Sequence, residues 1–208
     1  MSPLAASAGD TSSAKRRQIL DGARQVFSEL GYERASVDQI AARAGVSKAT
    51  VYNHFQDKKA LFIAAVVQDC DGFREGVERC LAGGTADVEQ GLRSIGERVM
   101  TMSLSPPVAK LYRATIAEAE RMPELGRLVF ERGTLALQEA IASLLRRWNE
   151  VGALQIEDPR SAAVAFIALC QGDLVIRMRL GVLEHPVEPL IHQTVERAVS
   201  IFVRAYRP

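Results

Sequence analysis

The chain has 208 residues, of which 48% are hydrophobic and 25% charged, with a formal net charge of +1. This length supports one or two compact units with a real core, and the composition is ordinary for a soluble globular protein. The longest apolar run, residues 162–170, falls far short of the ~18 residues a membrane span needs, and the start MSPLAASAGD lacks the basic and apolar stretches of a signal peptide. Both absences point to the cytoplasm and away from a membrane partner.

Taken in chain order, residues 1–13 are small, polar and without period, and read as a disordered leader. Ser12 or Ser13 can cap a first helix that runs to about Leu30. Its face carries Ile19, Leu20, Ala23, Val26, Phe27 and Leu30, and Gly31-Tyr32 ends it. Ser36 caps a second helix, Ser47 a third, and Asp57 a fourth with Phe62, Val66, Cys70, Phe73, Val77 and Leu81 at spacings of three and four. Gly83-Gly84 stops the fourth. Further helices are expected over 88–103, 108–121, 123–151, 158–180 and 188–205, the eighth with Pro159 at its first position. No alternating strand pattern is visible. The expectation is an all-α chain of about nine helices.

Charge is unevenly distributed. Residues 14–60 hold nine Lys/Arg against five Asp/Glu, whereas residues 61–208 hold seventeen against nineteen. The basic quarter is the part suited to a polyanion. Cys70, Cys80 and Cys170 are odd in number and have no C-x-x-C spacing, so they read as small buried hydrophobes.

Within the basic quarter, the run Val37-Asp-Gln-Ile-Ala-Ala-Arg-Ala44 is followed by Gly45-Val-Ser-Lys-Ala-Thr-Val-Tyr-Asn-His-Phe55. Ile40, Ala41, Ala44, Val46, Val51 and Phe55 can pack two short helices against each other and a third. Gly45 sits where the chain must reverse and suits a residue free to take positive φ. Left on the outer face are Lys48, Thr50, Tyr52, Asn53 and His54. That is a helix-turn-helix whose second helix can enter a major groove.

Residues 14–61, with GVSKATVYNHF followed by DKKALF, resemble the DNA-binding domain of the TetR family of one-component regulators. The resemblance implies a three-helix helix-turn-helix domain over 14–64 and a larger helical ligand-binding and dimerisation domain over 65–208. It places Lys48, Ala49, Thr50 and Asn53 at the positions that approach base edges. Lysine can donate to guanine O6 and N7, asparagine can pair with adenine, and Ala49 can meet a thymine methyl. Tyr52 and His54 match backbone-contacting positions, which set register rather than read sequence. Ser36 joins them as a cap that also meets phosphate. Lys58, at the start of the fourth helix, matches a phosphate-contacting lysine where free N–H groups already favour an anion. Two readings stand for Lys15, Arg16 and Arg17: solvated cations beside the leader, or phosphate contacts.

The C-terminal blocks Ala117-Glu-Ala-Glu-Arg-Met-Pro-Glu-Leu-Gly126 and Gln171-Gly-Asp-Leu174 resemble one subclass of TetR ligand-binding domains. An effector pocket is expected to draw on Met100, Leu104, Tyr112, Ile116, Phe130, Phe166 and Cys170, each of which also reads as ordinary core. The last two helices are the expected homodimer interface, since residues 162–170 are apolar nearly all round. Arg177 and Arg179 read as ion-paired or snorkelling, and Trp148 as packed locally.

An enzyme fits poorly. His54, His185 and His192 form no Glu-x-x-His pair, and there is neither a phosphate loop nor a nucleophile elbow, so no cofactor or metal is expected. A small-molecule carrier explains the C-terminal part alone. The reading adopted is a ligand-responsive regulator, a repressor first and an activator second. It would bind a double-stranded DNA operator and be released by an effector the sequence does not name.

Overall fold

The computed structural model describes residues 8–82 and 87–208, and among them every regular element is helical. Eleven α-helices and one π-helical segment are present: α1 Ala8–Arg34, α2 Val37–Ala44, α3 Lys48–His54, α4 Lys58–Ala82, α5 Val88–Leu104, α6 Pro106–Ala119, α7 Pro123–Val129, the π segment Phe130–Leu135, α8 Ala136–Glu150, α9 Pro159–Gln171, α10 Leu174–Leu180 and α11 Glu188–Tyr206. The excess over nine has local causes. The expected 123–151 helix contains the π segment, and the expected 158–180 helix breaks at Gly172, where α9 and α10 bend by 57°. No single helix among the described residues is long and apolar enough to cross a membrane.

Residues 8–13, expected in the leader, belong to α1, because extending an existing helix costs far less than nucleating one. The rest of the expected leader, 1–7, and the Gly83-Gly84 stop lie outside the described residues. Helical geometry in α1 gives way at Gly31, close to the expected end.

The chain divides into two compact units, Met1–Asp69 with Lys110–Gly126, and Cys70–Ala109 with Arg127–Pro208. The first unit takes in the α6–α7 turn. Its core is Ile19, Leu20, Ala23, Val26 and Phe27 of α1, Ile40 of α2, Val51 of α3, and Leu61, Phe62 and Ala65 of α4. Phe27, Tyr32 and Phe62 form an aromatic cluster with centroids 4.8–6.2 Å apart. Two ion pairs, Arg121–Glu33 at 2.7 Å and Lys59–Glu124, tie the α6–α7 turn into this unit.

In the second unit α5, α9 and α11 pack closely. A Cβ added at Gly96 would lie 2.8 Å from Val195 and 3.2 Å from Cys170. Phe166 meets Phe202 edge-on at 5.3 Å, and Trp148 is buried on α8 beside Leu144 and Leu145. Arg177 pairs with Asp173, one turn away. Burial pushes the Cys170 thiol up to about 12, so at neutral pH it is a neutral, unreactive hydrophobe. Alkylation of the native protein should accordingly spare Cys170 and modify it only after denaturation, as mass spectrometry of the labelled peptides would show. Rapid native labelling of Cys170 would contradict this packing.

Candidate nucleic-acid interface

The recognition unit is built by three local signals. Ser36 caps α2: its hydroxyl accepts from the Gln39 N–H at 3.2 Å while the Gln39 side-chain oxygen accepts from the Ser36 N–H at 2.9 Å. Gly45 ends α2 at φ 64, ψ 37, a left-handed conformation that any β-carbon would strain, and the N–H groups of Gly45 and Val46 close on Ala42 and Ala41. Ser47 then caps α3, accepting from the Thr50 N–H at 3.1 Å and sharing a 2.8 Å hydroxyl contact with Thr50.

Helix α1 holds this pair from behind. Gln18 donates to the Ala44 carbonyl at 2.6 Å, and a Cβ at Gly22 would lie 2.9 Å from that of Ala44 and 3.0 Å from its nitrogen. Gly22→Val should therefore force α1 and α2 apart and destabilise the first unit by roughly 1–3 kcal/mol, an overpacking cost. Thermal melting followed by circular dichroism reads this, and an unchanged transition would mean the crossing is looser than the contacts imply.

Val51 and Phe55 are buried, so the opposite face of α3 is presented to solvent. Lys48, Ala49, Tyr52 and Asn53 are exposed, whereas Ser36, Thr50 and His54 are half-buried. Lys48, Ala49, Tyr52 and Asn53 thus share the exposed side of α3, with Thr50 and His54 beyond its edge. Arg16, stacked 5.0 Å over the Phe55 ring, places the basic Lys15-Arg16-Arg17 stretch of α1 beside the end of α3.

Lys58 is engaged within its own unit. Its ammonium donates to the carbonyls of Tyr32 at 3.0 Å, Glu33 at 3.3 Å and Ala35 at 3.1 Å, and lies 4.4 Å over the Tyr32 ring. Three donors meet three acceptors at the C-terminal end of α1, so this side chain ties α4 to α1 rather than reaching outward. A phosphate at the start of α4 would meet backbone N–H groups there. Nothing next to Lys58 in sequence signals this, because its partners lie 23–26 residues upstream.

Other basic residues of the quarter are also engaged. Arg43 forms a two-pronged pair with Glu29, both contacts at 2.9 Å, and Arg24 pairs with Asp69. Lys59 pairs with Glu124, and Lys48 reaches Asp38 on α2 at 2.9 Å. The Lys48 and Lys59 ammonium groups are held above the ordinary lysine range, chiefly by these hydrogen bonds, and both are charged at neutral pH. Sequence counting found the basic surplus but not its internal pairing, and Asp38 was not among the expected site residues.

Comparison with known proteins agrees with this arrangement. Residues 19–65 match the family described as bacterial regulatory proteins, tetR family, and residues 90–208 match the AefR-like transcriptional repressor C-terminal domain. The chain belongs to the TetR family. It is 33% identical over 176 residues to an HTH-type transcriptional repressor of Mycobacterium tuberculosis, an alignment covering 83% of this chain and 86% of that protein. A crystal structure of a TetR-family regulator from Mesorhizobium loti superposes with a TM-score of 0.91 at 28% identity, covering 95% of this chain and 98% of the other. The flavonoid-responsive regulator FrrA superposes at 0.73 with 30% identity, covering 94% and 98%. As a TetR-family protein the chain is a DNA-binding transcriptional regulator and not an enzyme.

The expected pocket residues of this TetR protein fall into two groups. Met100, Leu104, Phe166 and Cys170 are buried, whereas Ile116 and Phe130 expose 46% and 53% of their surface and Tyr112 is half-buried. The first group is core of the second unit. Ile116 and Phe130 are not enclosed by their own chain, and Ile116 and Tyr112 belong to the first unit. Of the histidines, His192 pairs with Glu97 on α5 at 2.7 Å, and among the described residues no group of His, Cys, Asp and Glu is placed to hold a metal.

Proposed function

We propose that this protein is a repressor that binds a palindromic operator as a homodimer and is released when a small-molecule effector binds its C-terminal domain. The observation that carries the reading is the outward face of α3, where Lys48, Ala49, Tyr52 and Asn53 stand exposed while Val51 and Phe55 anchor the helix. One such helix makes too few base contacts for tight specific binding, so two half-sites about one helical turn apart are required. The repressor sense is supported by the match to a repressor C-terminal domain and by the repressor named in Mycobacterium tuberculosis.

The dimer would form through α9 and α11. On α9, Ala162, Ala163, Phe166 and Cys170 face the core, while Val164, Ala165 and Ala168 are exposed. On α11, Ile201 and Ala205 are exposed opposite the buried Val195, Val199, Phe202 and Val203. An outward apolar face on both helices supports a four-helix bundle between subunits. The effector would be an organic molecule, in keeping with the flavonoid response of the related FrrA. Met100, Leu104, Phe130, Phe166 and Cys170 of the second unit remain the candidate contacts. Release needs only a coupling of about 1–3 kcal/mol between effector and operator.

The test is binding of the purified protein to DNA selected from a random pool, against a scrambled control, over a salt series. Palindromic selected sites, two or a multiple of two subunits per site and release by an organic compound from a screen would bear the proposal out. Selected sites without symmetry, or equal binding to both DNAs, would sink it and favour a carrier of the same fold.

A further inference from the structure

We propose that Asp38 is a specificity-determining residue: by holding Lys48 across the recognition face, it keeps that lysine from phosphates and yields it only to a matching base pair. This rests on the docking of α3 proposed above.

Asp38 stands in the first turn of α2, where the helix dipole favours a carboxylate, yet the cap itself is made by Ser36 and Gln39. The carboxylate is therefore not needed to close the helix. It is exposed, and its Oδ2 accepts from the Lys48 ammonium at 2.9 Å. On a surface that meets a polyanion, a carboxylate opposes binding to any sequence.

The charges around it make the effect matter. Of the basic residues in this quarter, Arg24, Arg43, Lys48 and Lys59 each have an acidic partner, and the Lys58 ammonium is spent on three carbonyls. Non-specific affinity comes from cations that release counterions at phosphates, and here four of the nine have an acidic partner. Lys48 is the one of them that sits on α3 itself. In the major groove, guanine O6 and N7 can accept from Lys48, and the paired cytosine N4 can donate to Asp38. A G·C pair therefore satisfies both partners at once, whereas a phosphate satisfies the lysine and repels the aspartate. Discrimination built from such repulsion complements the attractive contacts.

The test uses the full-length chain with Asp38→Asn, Lys48→Ala and the double substitution, on the selected operator and on scrambled DNA. Asp38→Asn should raise affinity for scrambled DNA by about tenfold per subunit at 0.1 M salt, with a salt slope steeper by ~0.9, the value of one added phosphate contact. Operator affinity should rise less, so the specificity ratio falls. In the Lys48→Ala background the Asp38→Asn gain on scrambled DNA should fall well below tenfold, leaving only the loss of the carboxylate's own repulsion. An equal gain on both DNAs, or the same gain without Lys48, would overturn the proposal and leave Asp38 a general repulsive charge. If Lys48→Ala itself left operator binding unchanged, the docking of α3 would fail as well. Thermal melting of each variant separates these outcomes from a loss of fold.

Discussion

Ile201→Glu should turn the protein into a folded monomer that no longer holds its operator. Ile201 exposes 47% of its surface on α11, and Val164 exposes 43% on α9. Neither supports the core of its own chain, so a glutamate at either position stays hydrated in the monomer and costs it little. In a symmetric bundle each substitution appears twice, and each buried, unpaired carboxylate costs about 3–5 kcal/mol. Two of them exceed what a moderately stable dimer can absorb. Operator affinity should then fall roughly 10²- to 10⁴-fold, the advantage lost when two linked half-site contacts become one. Size-exclusion chromatography with light scattering, together with unchanged helical circular dichroism, checks the first part, and operator titration checks the second. Val164→Glu should behave in the same way. A dimer that survives both substitutions would place the interface elsewhere, with the exposed Ile176 and Leu180 of α10 the next residues to vary.

What could be read from the sequence follows the range of the interactions. Ser36, Gly45 and Ser47 act within three or four residues, and each was visible as a capping or turn signal that the structure realises. The period of α1 likewise foretold the buried Ile19, Leu20, Ala23, Val26 and Phe27. Side-chain partners chosen by tertiary packing were not visible. The Lys48–Asp38 pair spans ten residues, Lys58 reaches back more than twenty, and Arg121 meets Glu33 across eighty-eight. No periodicity encodes such distances. The same limit hides that residues 110–126 join the first unit, where Glu33–Arg121 and Lys59–Glu124 pair across long stretches of sequence. Gly172 is a different case. Apolar stretches on both sides carry the helical period across it, so the sequence reads as one helix, whereas the backbone turns at Gly172, φ 47, between α9 and α10.

Lys58→Met should unsettle the first unit more than it alters the electrostatics of DNA binding. The methionine keeps the apolar stem over the Tyr32 ring and removes the ammonium, leaving the Tyr32, Glu33 and Ala35 carbonyls without their shared donor. Hydrogen bonds from a charged donor contribute about 1.5–3 kcal/mol each, less where water can replace the donor. Two of the three contacts are partly buried and one is exposed. Together with the ring contact, the expected loss is about 3 kcal/mol. In a unit of this size that lowers the melting temperature by on the order of 10 °C. Faster hydrogen exchange at the start of α2 should accompany it, because Ala35 and Ser36 lead into the capping box that orients α3. The phosphate reading of Lys58 predicts the reverse pattern. Stability would hardly change, and the slope of log affinity against log salt would flatten by ~0.9 per subunit. Measured well below the melting transition, an unchanged slope with a lowered melting temperature assigns Lys58 to the scaffold that aims the recognition helix. A flattened slope with an unchanged melting temperature would mean that the ammonium leaves its three carbonyls when DNA arrives.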